Sequence, residues 1–440
     1  MTVSSRALAM EALVQLAKSQ APLDTIVGQL TRSSEPSRLE RQLLNVILLT
    51  TLRRRREIDA VISHFSSRPL AKLEPKILAG LRVGTCQLLC LDKIPPSAAV
   101  NETVKGLGRQ PKWLKGFVNG VLRAISRKRQ QALKLMAECQ WPASSNHPDW
   151  LAYLLAREYG QETAVAICRQ NQEQPSLALR LNPNLTSREA YSALLTEADI
   201  SWRAGQSPLA LILPDFQGRV TSLPGFSQGL FHVMDDGAQL IPALFGPLTA
   251  GPFLDGCAGL GGKTIMVDQL LPSEAILTAV EPHSGRFSLL QENLQRCHCR
   301  PVTSHKMSLA DFASGYNGPP FQAILLDAPC SGLGVMGRHP DIRWNRRPAD
   351  LPRCQQQQLA LLATAAPLLA PGGTIVYATC SLARLENEGV VEKFLEKQDD
   401  FTLLSGPALP QLPRLDEHGF LRLLPAPAND GFFAARLQKK

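Results

Sequence analysis

Two cysteines lie just after apolar stretches in the second half of this chain. Cys330 stands in AILLDAPCSGLG, residues 323–334, and Cys380 stands in TIVYATCS, residues 374–381. Both stretches begin as apolar, β-branched runs typical of buried strands, and ligands lie at the carboxyl ends of the strands in an open parallel sheet. A thiol that loses its proton becomes a strong nucleophile. The sequence therefore predicts one site with two cysteines, against the alternative that each is a small buried apolar residue.

A glycine-rich loop is the second candidate for chemistry. The segment FLDGCAGLGGKT, residues 253–264, reads as a short strand, a glycine turn and the start of a helix. A P-loop needs four residues between its first glycine and the GK[ST] triplet, and five separate Gly256 from Gly262. The dinucleotide fingerprint fails too, because Thr264 stands where its third glycine belongs. The next predicted strand ends in Glu281, whose carboxylate can accept hydrogen bonds from ribose hydroxyls, so the pattern favours a nucleoside cofactor.

Charge is distributed unevenly along the 440 residues. Residues 1–145 contain 23 Lys and Arg against 10 Asp and Glu, a net charge of +13, whereas the remaining residues carry −4. A basic part joined to a nearly neutral part indicates that one holds a polyanion on which the other acts. Arg53–Arg56 are four consecutive cations, whose mutual repulsion predicts phosphate oxygens as their partner. Further basic residues follow that either bind nucleic acid or form a solvated surface: Lys112, Lys115, Arg123, Arg127, Lys128 and Arg129.

The periodicity of the apolar residues divides the chain into three predicted domains. Residues 1–140 show helical spacing throughout and predict an all-α domain. Residues 141–225 alternate between helical and strand patterns and predict a small α+β module. Residues 226–440 repeat strand, glycine turn and helix, which is the pattern of a doubly wound α/β domain. The two cysteines and the glycine loop all fall in this third domain.

Composition argues against several classes of protein. With 44% hydrophobic and 19% charged residues, the chain is typical of a globular protein. No apolar run reaches the roughly 18 to 20 residues that cross a bilayer, and the first 20 residues lack the apolar core of a secretory signal, so we expect a cytoplasmic protein without membrane association. Ten cysteines without a repeated spacing do not predict a disulfide framework. Cys297 and Cys299 flank a histidine, but no second ligand pair follows at zinc-finger spacing, and no metal site is predicted.

Taken together, DGCAGLGGKT, LLDAPCSGLG, RHPDIRW (338–344) and YATCS resemble the RNA cytosine-5 methyltransferases that use S-adenosyl-L-methionine, and most of all the bacterial 16S rRNA enzymes of the Sun/Fmu type. KIPPSAAVNETV (93–104) and WLKGFVNGVLR (113–123) resemble that family's NusB-like amino-terminal domain. The resemblance covers nearly the whole chain. It implies an RNA-binding all-α NusB-like domain, a small α+β linker module and a Rossmann-like methyltransferase domain.

The resemblance also implies a role for individual residues. Cys380, in the TC motif, is then the nucleophile that adds to cytosine C6, and Cys330 assists release of the covalent adduct. Asp327 is placed between cofactor and cytosine, where it can accept from the exocyclic amine. The cofactor contacts that the resemblance implies are Cys257, Ala258, Gly259, Leu260, Gly261, Gly262, Lys263, Glu281, Ser308 and Asp327.

The chain departs from the family pattern at three of these positions. Leu260 replaces the family's proline, and Glu281 replaces its aspartate. The family's third cofactor-contacting acid falls at Met307 and Ser308, with Asp311 three residues later.

Three alternatives remain open on the sequence. DNA cytosine methyltransferases use the Pro-Cys cysteine as nucleophile, so the roles of the two cysteines could be exchanged. The chain could instead be an RNA-binding assembly or antitermination factor whose catalytic domain has decayed, or an enzyme acting on tRNA. The favoured reading is methylation of one cytosine at C5 in 16S rRNA by a monomer, with no protein partner implied and the base extruded to reach the thiol.

Overall fold

The computed structural model describes residues 4–405 and 415–440. It divides into two compact units, which we call the helical unit, Met1–Glu173 with Arg338–Pro348, and the sheet unit, Gln174–Gly337 with Ala349–Lys440. This division by compactness puts most of the predicted α+β module in the same unit as the predicted doubly wound domain. The three domain limits given above stay a prediction.

The helical unit confirms the predicted all-α amino-terminal part. Helix α7 buries one apolar stripe, in which Leu114, Val118, Leu122 and Ile125 recur at helical spacing and lie in the core, whereas α5 is buried on nearly all sides. Among the residues described, no helix is both long and apolar enough to cross a membrane. The helices are α1 (Ser5–Lys18), α2 (Leu23–Ser34), α3 (Arg38–Arg53), α4 (Arg55–Phe65), α5 (Pro75–Cys90), α6 (Pro96–Gly106), α7 (Lys112–Arg127), α8 (Arg129–Ala137), α9 (Asp149–Tyr159) and α10 (Gln161–Gln170).

A small antiparallel sheet begins the sheet unit and confirms the predicted α+β module. Its strands lie in the order β2-β3-β1-β4, and helix α11 packs Tyr191 and Leu195 against its apolar face. Its elements are β1 (Leu177–Leu181), α11 (Arg188–Glu197), β2 (Arg203–Ala204), β3 (Ala210–Leu213) and β4 (Phe231–Val233).

A large sheet forms the rest of the sheet unit and confirms the predicted doubly wound α/β architecture. The order is β10-β12-β9-β8-β5-β6-β7, with β11 paired to β12; β5 to β9 are parallel, and β12 is antiparallel to β9. The strands are β5 (Pro252–Asp255), β6 (Ile276–Val280), β7 (Val302–His305), β8 (Phe321–Asp327), β9 (Leu369–Thr379), β10 (Phe401–Leu403), β11 (Leu421–Leu423) and β12 (Phe432–Lys439). Its helices are α12 (Gly262–Leu270), α13 (Ser284–Arg296), α14 (Leu309–Gly315), α16 (Asp350–Ala365) and α17 (Glu388–Leu395), whereas α15 (Ile342–Asn345) follows α14 in the chain but belongs to the helical unit. Because β5 and β8 are neighbours without being consecutive, the chain reverses its direction of winding between them, and crevices for ligands form at such points.

The segment Arg338–Pro348, which includes α15, packs with the helical unit although it follows β8 in sequence. Arg343 is completely buried there. The indole nitrogen of Trp344 donates to the carbonyl of Leu52 at 3.0 Å, and the guanidinium of Arg55 stacks 4.4 Å above the Trp344 ring. The motif RHPDIRW is thus a structural part of the helical unit.

The arginine cluster Arg53–Arg56 has partners within the protein for part of its charge, and phosphate as a further partner stays a prediction. The cluster spans the junction of α3 and α4. Arg54 pairs with the carboxylate of Glu57 at 2.5 Å, and Arg56 pairs with that of Asp149. The repulsion between these cations is therefore relieved by protein groups, one of them more than ninety residues away in the sequence.

Candidate active site

The two cysteines lie at one rim of the large sheet, as predicted. Strands β8 and β9 are parallel neighbours in which Asp327 pairs with Ala378, so the loops after them begin at the same level. Cys330 and Cys380 follow in these loops, and their Sγ atoms are 3.2 Å apart. Both residues are partly exposed to solvent. The structure therefore brings the two thiols into direct contact at the position where parallel sheets place reacting groups.

Lys263 joins the glycine loop to this pair of cysteine loops. Its ammonium group donates to a carboxylate oxygen of Asp327 at 2.7 Å and lies 5.8 Å from the centre of the Phe432 ring. Burial would lower the pKa of Lys263, but the charge of Asp327 and the hydrogen bond to it outweigh that effect, and the pKa is raised. The cation at the start of α12 is thus fixed beside the end of β8.

The glycine loop is shaped by a buried acid that sequence reasoning did not single out. Asp255, at the end of β5, accepts from the hydroxyl of Thr264 at 2.7 Å and from the backbone amide of Cys257 at 3.2 Å. Burial raises the pKa of Asp255 to about 6. Gly261 has φ +88°, and a Cβ there would lie 2.7 Å from the side chain of Leu290, so only glycine fits the turn.

Glu281 is buried at the end of β6 and holds the outer side of the same loop. One carboxylate oxygen accepts from the amide of Gly259 at 3.0 Å, and the other accepts from the amide of His283 at 2.8 Å. Leu260 is half exposed and Ala258 is buried, so the loop presents its backbone more than its side chains. The structure therefore brings the predicted glycine loop and Glu281 together.

Ser308 is placed differently from the other predicted residues. It follows β7, the edge strand of the sheet, and its hydroxyl caps α14 by accepting from the amide of Asp311 at 3.1 Å. The same hydroxyl donates to the Asp311 carboxylate at 2.6 Å. The first turn of α14 thus brings Asp311, which lies three residues later in the sequence, into hydrogen-bond contact with Ser308.

An acid between the two cysteine loops was missed by sequence reasoning. Glu386 is completely buried and bonds to both Ser331 and Ser381, the residues that follow the cysteines. Its sequence signal is the polar run RLENE, residues 384–388, directly between a buried strand and an amphipathic helix. Such a run reads as an ordinary surface loop, and only the fold shows that the carboxylate points inward.

Cys330 is the cysteine of the pair whose pKa is raised. The hydrogen bond with Cys380 raises the pKa of Cys330 well above that of an ordinary thiol, and burial and the charges of Cys380 and Glu386 act in the same direction. Cys330 therefore holds its proton more firmly than an ordinary cysteine does.

Three family models match the chain. The model described as 16S rRNA methyltransferase RsmB/F matches residues 244–438. The NusB family model matches residues 3–127, and a model described as Methyltr_RsmF/B-like, ferredoxin-like domain matches residues 147–218. In turn, these matches cover the large sheet, helices α1 to α7 and the small sheet without β4.

Curated relatives resemble the chain over its whole length. A probable ribosomal RNA small subunit methyltransferase B from Synechocystis sp. is 32% identical over 449 residues, which are 99% of this chain and 100% of that protein. The ribosomal RNA small subunit methyltransferase B of Cronobacter sakazakii is 33% identical over 443 residues, which are 100% of this chain and 99% of that protein.

Solved structures share the fold at lower identity. The crystal structure of PH0851 has a TM-score of 0.75 and 21% identity, with 100% of both chains covered. The crystal structure of NSun6 from Pyrococcus horikoshii with SFG has a TM-score of 0.57 and 20% identity, and the match covers 66% of this chain and 98% of that one. At such identities the likeness shows the fold alone.

Proposed function

This chain belongs to the 16S rRNA methyltransferase RsmB/F family, and on that premise we propose that it methylates one cytosine of 16S rRNA at C5, with S-adenosyl-L-methionine as cofactor. The observation that carries the proposal is the contact of the Cys330 and Cys380 thiols, 3.2 Å apart at the rim of the sheet. The ion pair between Lys263 and Asp327 lies at the end of β8, the strand that precedes the Cys330 loop. Two thiols in contact suit a reaction in which one attacks and the other assists release.

The residues of the glycine loop fit the proposed cofactor. No atom lies within 4 Å of the position that a Cβ would take at Gly259 or Gly262, so the backbone there is open to a ligand. Each oxygen of Glu281 accepts one backbone amide and keeps capacity for one ribose hydroxyl. When bound, S-adenosyl-L-methionine supplies the electrophilic methyl group.

Cys380 supplies the activation that cytosine requires, because C5 of an intact pyrimidine is a weak nucleophile. Its thiolate adds to C6, forming a carbon–sulfur bond and turning C5 into the nucleophilic end of an enamine. In this reaction Asp327, at the end of β8, accepts from the exocyclic amine and fixes the base. After C5 is methylated, loss of the C5 proton and expulsion of the Cys380 thiolate restore the double bond, and Cys330 assists that release.

The test is to follow labelled methyl transfer to 16S rRNA with purified variants. Cys380→Ser should abolish turnover, because a hydroxyl is a far weaker nucleophile than a thiolate. Cys330→Ala should still attack but release slowly, leaving a protein–RNA band that survives denaturant. Turnover by Cys380→Ser would refute the assignment. Exchange of the two phenotypes would show that the cysteines have opposite roles.

The proposed partner is 16S rRNA, bound as substrate by a monomer in the cytoplasm. The basic charge of residues 1–145 supports contact with RNA, because phosphate contacts supply most of the affinity for a nucleic acid. Mapping 5-methylcytosine in the rRNA of a deletion strain identifies the nucleotide. Absence of any lost mark in 16S rRNA, with a mark lost in tRNA, would move the substrate to tRNA.

A further inference from the structure

Glu386 reaches both loops that carry the cysteines. One carboxylate oxygen accepts from the backbone amide of Ser331 at 2.8 Å. The other accepts from the hydroxyl of Ser381 at 2.6 Å and from the hydroxyl of Ser331. Since Ser331 directly follows Cys330 and Ser381 directly follows Cys380, one side chain bonds to the neighbour of each thiol.

We propose that Glu386 is a positioning residue that holds the two loops together and so brings the thiols of Cys330 and Cys380 into contact. Its carboxylate bonds to Ser331 and Ser381, the residues that follow the cysteines, and it acts on the thiols through these serines. The inference rests on the proposed function, because that reaction needs both cysteines at one base.

Hydrogen bonds replace the hydration of the buried Glu386 carboxylate. A carboxylate removed from water costs several kcal/mol unless hydrogen bonds replace its hydration. Besides the three groups of Ser331 and Ser381, the side-chain amide of Gln358 donates to Glu386 at 3.1 Å and also donates to the carbonyl of Pro329 at 3.0 Å. All four donors are uncharged, and three of them come from the cysteine loops. The acid is therefore satisfied only when both loops are in place.

The charge of Glu386 has a second effect on the pair. It is one of the causes that raise the pKa of Cys330, after the hydrogen bond with Cys380 and burial. A negative charge near Cys330 makes the loss of its proton more costly. The same side chain thus bonds to both loops and favours the protonated form of Cys330.

The experiment compares Glu386→Ala and Glu386→Gln with a matched control, Glu388→Gln. Glu388 is also buried and lies two residues further on, but it pairs with Arg422 at 2.5 Å and with Arg384 at 3.6 Å, and it bonds to neither Ser331 nor Ser381. The first readout is kcat and KM for labelled methyl transfer to 16S rRNA. The second is the rate at which diamide, which takes up two hydrogens, converts Cys330 and Cys380 into a disulfide, measured by peptide mass spectrometry.

Glu386→Ala should lower kcat about 100-fold, the loss that a shift of about 1 Å at a reacting group causes. The KM values for rRNA and cofactor should stay near those of the wild type, and disulfide formation should slow. Glu386→Gln keeps the shape, and both serine hydroxyls can turn to accept. It should therefore keep the disulfide rate of the wild type and a kcat within about threefold of it. Glu388→Gln should match the wild type in both readouts for the folded protein.

Two results would overturn the role of Glu386. One is a kcat for Glu386→Ala within about threefold of the wild type. The other is an equal loss of activity in Glu386→Ala and Glu388→Gln, which would mean general destabilisation. If the wild type itself makes no 5-methylcytosine, the proposed function fails, but the disulfide rates still decide whether Glu386 positions the loops.

Discussion

Substitution of Gly334 is the sharpest test of how the cysteine loops are packed. Gly334 ends the loop that carries Cys330, and its amide donates to the carbonyl of Cys380 at 2.8 Å. Its own carbonyl accepts from the amide of Gly431 at 2.9 Å. A Cβ at this position would lie 2.0 Å from the oxygen of Gly431 and 2.8 Å from that of Cys380. Both neighbours are backbone atoms, so neither can turn away as a flexible side chain would.

The structure gives the size of the expected effect. Relief of the clash in Gly334→Ala requires a displacement of about 1 Å, which strains a packed site by roughly 1–3 kcal/mol. Loss of two backbone hydrogen bonds adds about 1 kcal/mol each. A total of about 3–5 kcal/mol lowers the unfolding temperature of a unit of this size by roughly 6–20 °C. Because the carbonyl of Cys380 is displaced, kcat for methyl transfer should fall about 100-fold.

The assay measures thermal unfolding and labelled methyl transfer for Gly334→Ala beside Gly28→Ala. Gly28 lies in the interior of α2, and no atom lies within 4 Å of its added Cβ. Alanine there should stabilise the helix by about 0.5–1 kcal/mol and leave kcat unchanged. Wild-type kcat and unfolding temperature in Gly334→Ala would refute the reasoning, because the loops would then tolerate the displacement that the contacts forbid.

Two further predictions concern stability. Burial lowers the pKa of His232 to about 3, so this group stabilises the fold above pH 6.5 and that stability is lost as the pH falls toward 3. Between pH 7.5 and 5.5 the loss is about 1.4 kcal/mol, and the unfolding temperature of His232→Gln should fall less over this range than that of the wild type; an identical pH dependence would contradict the assignment. Trp344→Ala removes the bond to Leu52, the stacking with Arg55 and part of the packing of the helical unit, and should destabilise that unit by about 3 kcal/mol. Proteolysis within residues 338–348 should become faster in that variant, and unchanged cleavage would show that the indole contributes little.

The position of Cys330 and Cys380 at the rim of the sheet could be predicted from the sequence because local pattern fixes strand ends. The runs before Cys330 and Cys380 are apolar and β-branched, and the polar residues after them mark the rim. The same reasoning located the glycine loop and Glu281, whose carboxylate holds that loop in the structure. In each case, the deciding contacts join residues that lie close to the end of a predicted strand.

The counter-charges of the arginine cluster could not be predicted in this way. Arg56 forms an ion pair with Asp149, and Arg55 stacks on Trp344, which is nearly 290 residues away in the sequence. A run of cations looks the same in a sequence whether its partners are phosphates or distant protein groups. Only the folded chain shows which partner is present.

The sequence by itself determined which residues stand at the ends of β5, β6, β8 and β9, since strand pattern and glycine turns are local properties. Tertiary structure alone decided that the two thiols are in contact and that Glu386 lies between their loops. The physical reason is that these distances depend on the pairing of β8 with β9 and on the direction in which a polar turn packs. Neither is encoded by the residue types of the turn itself.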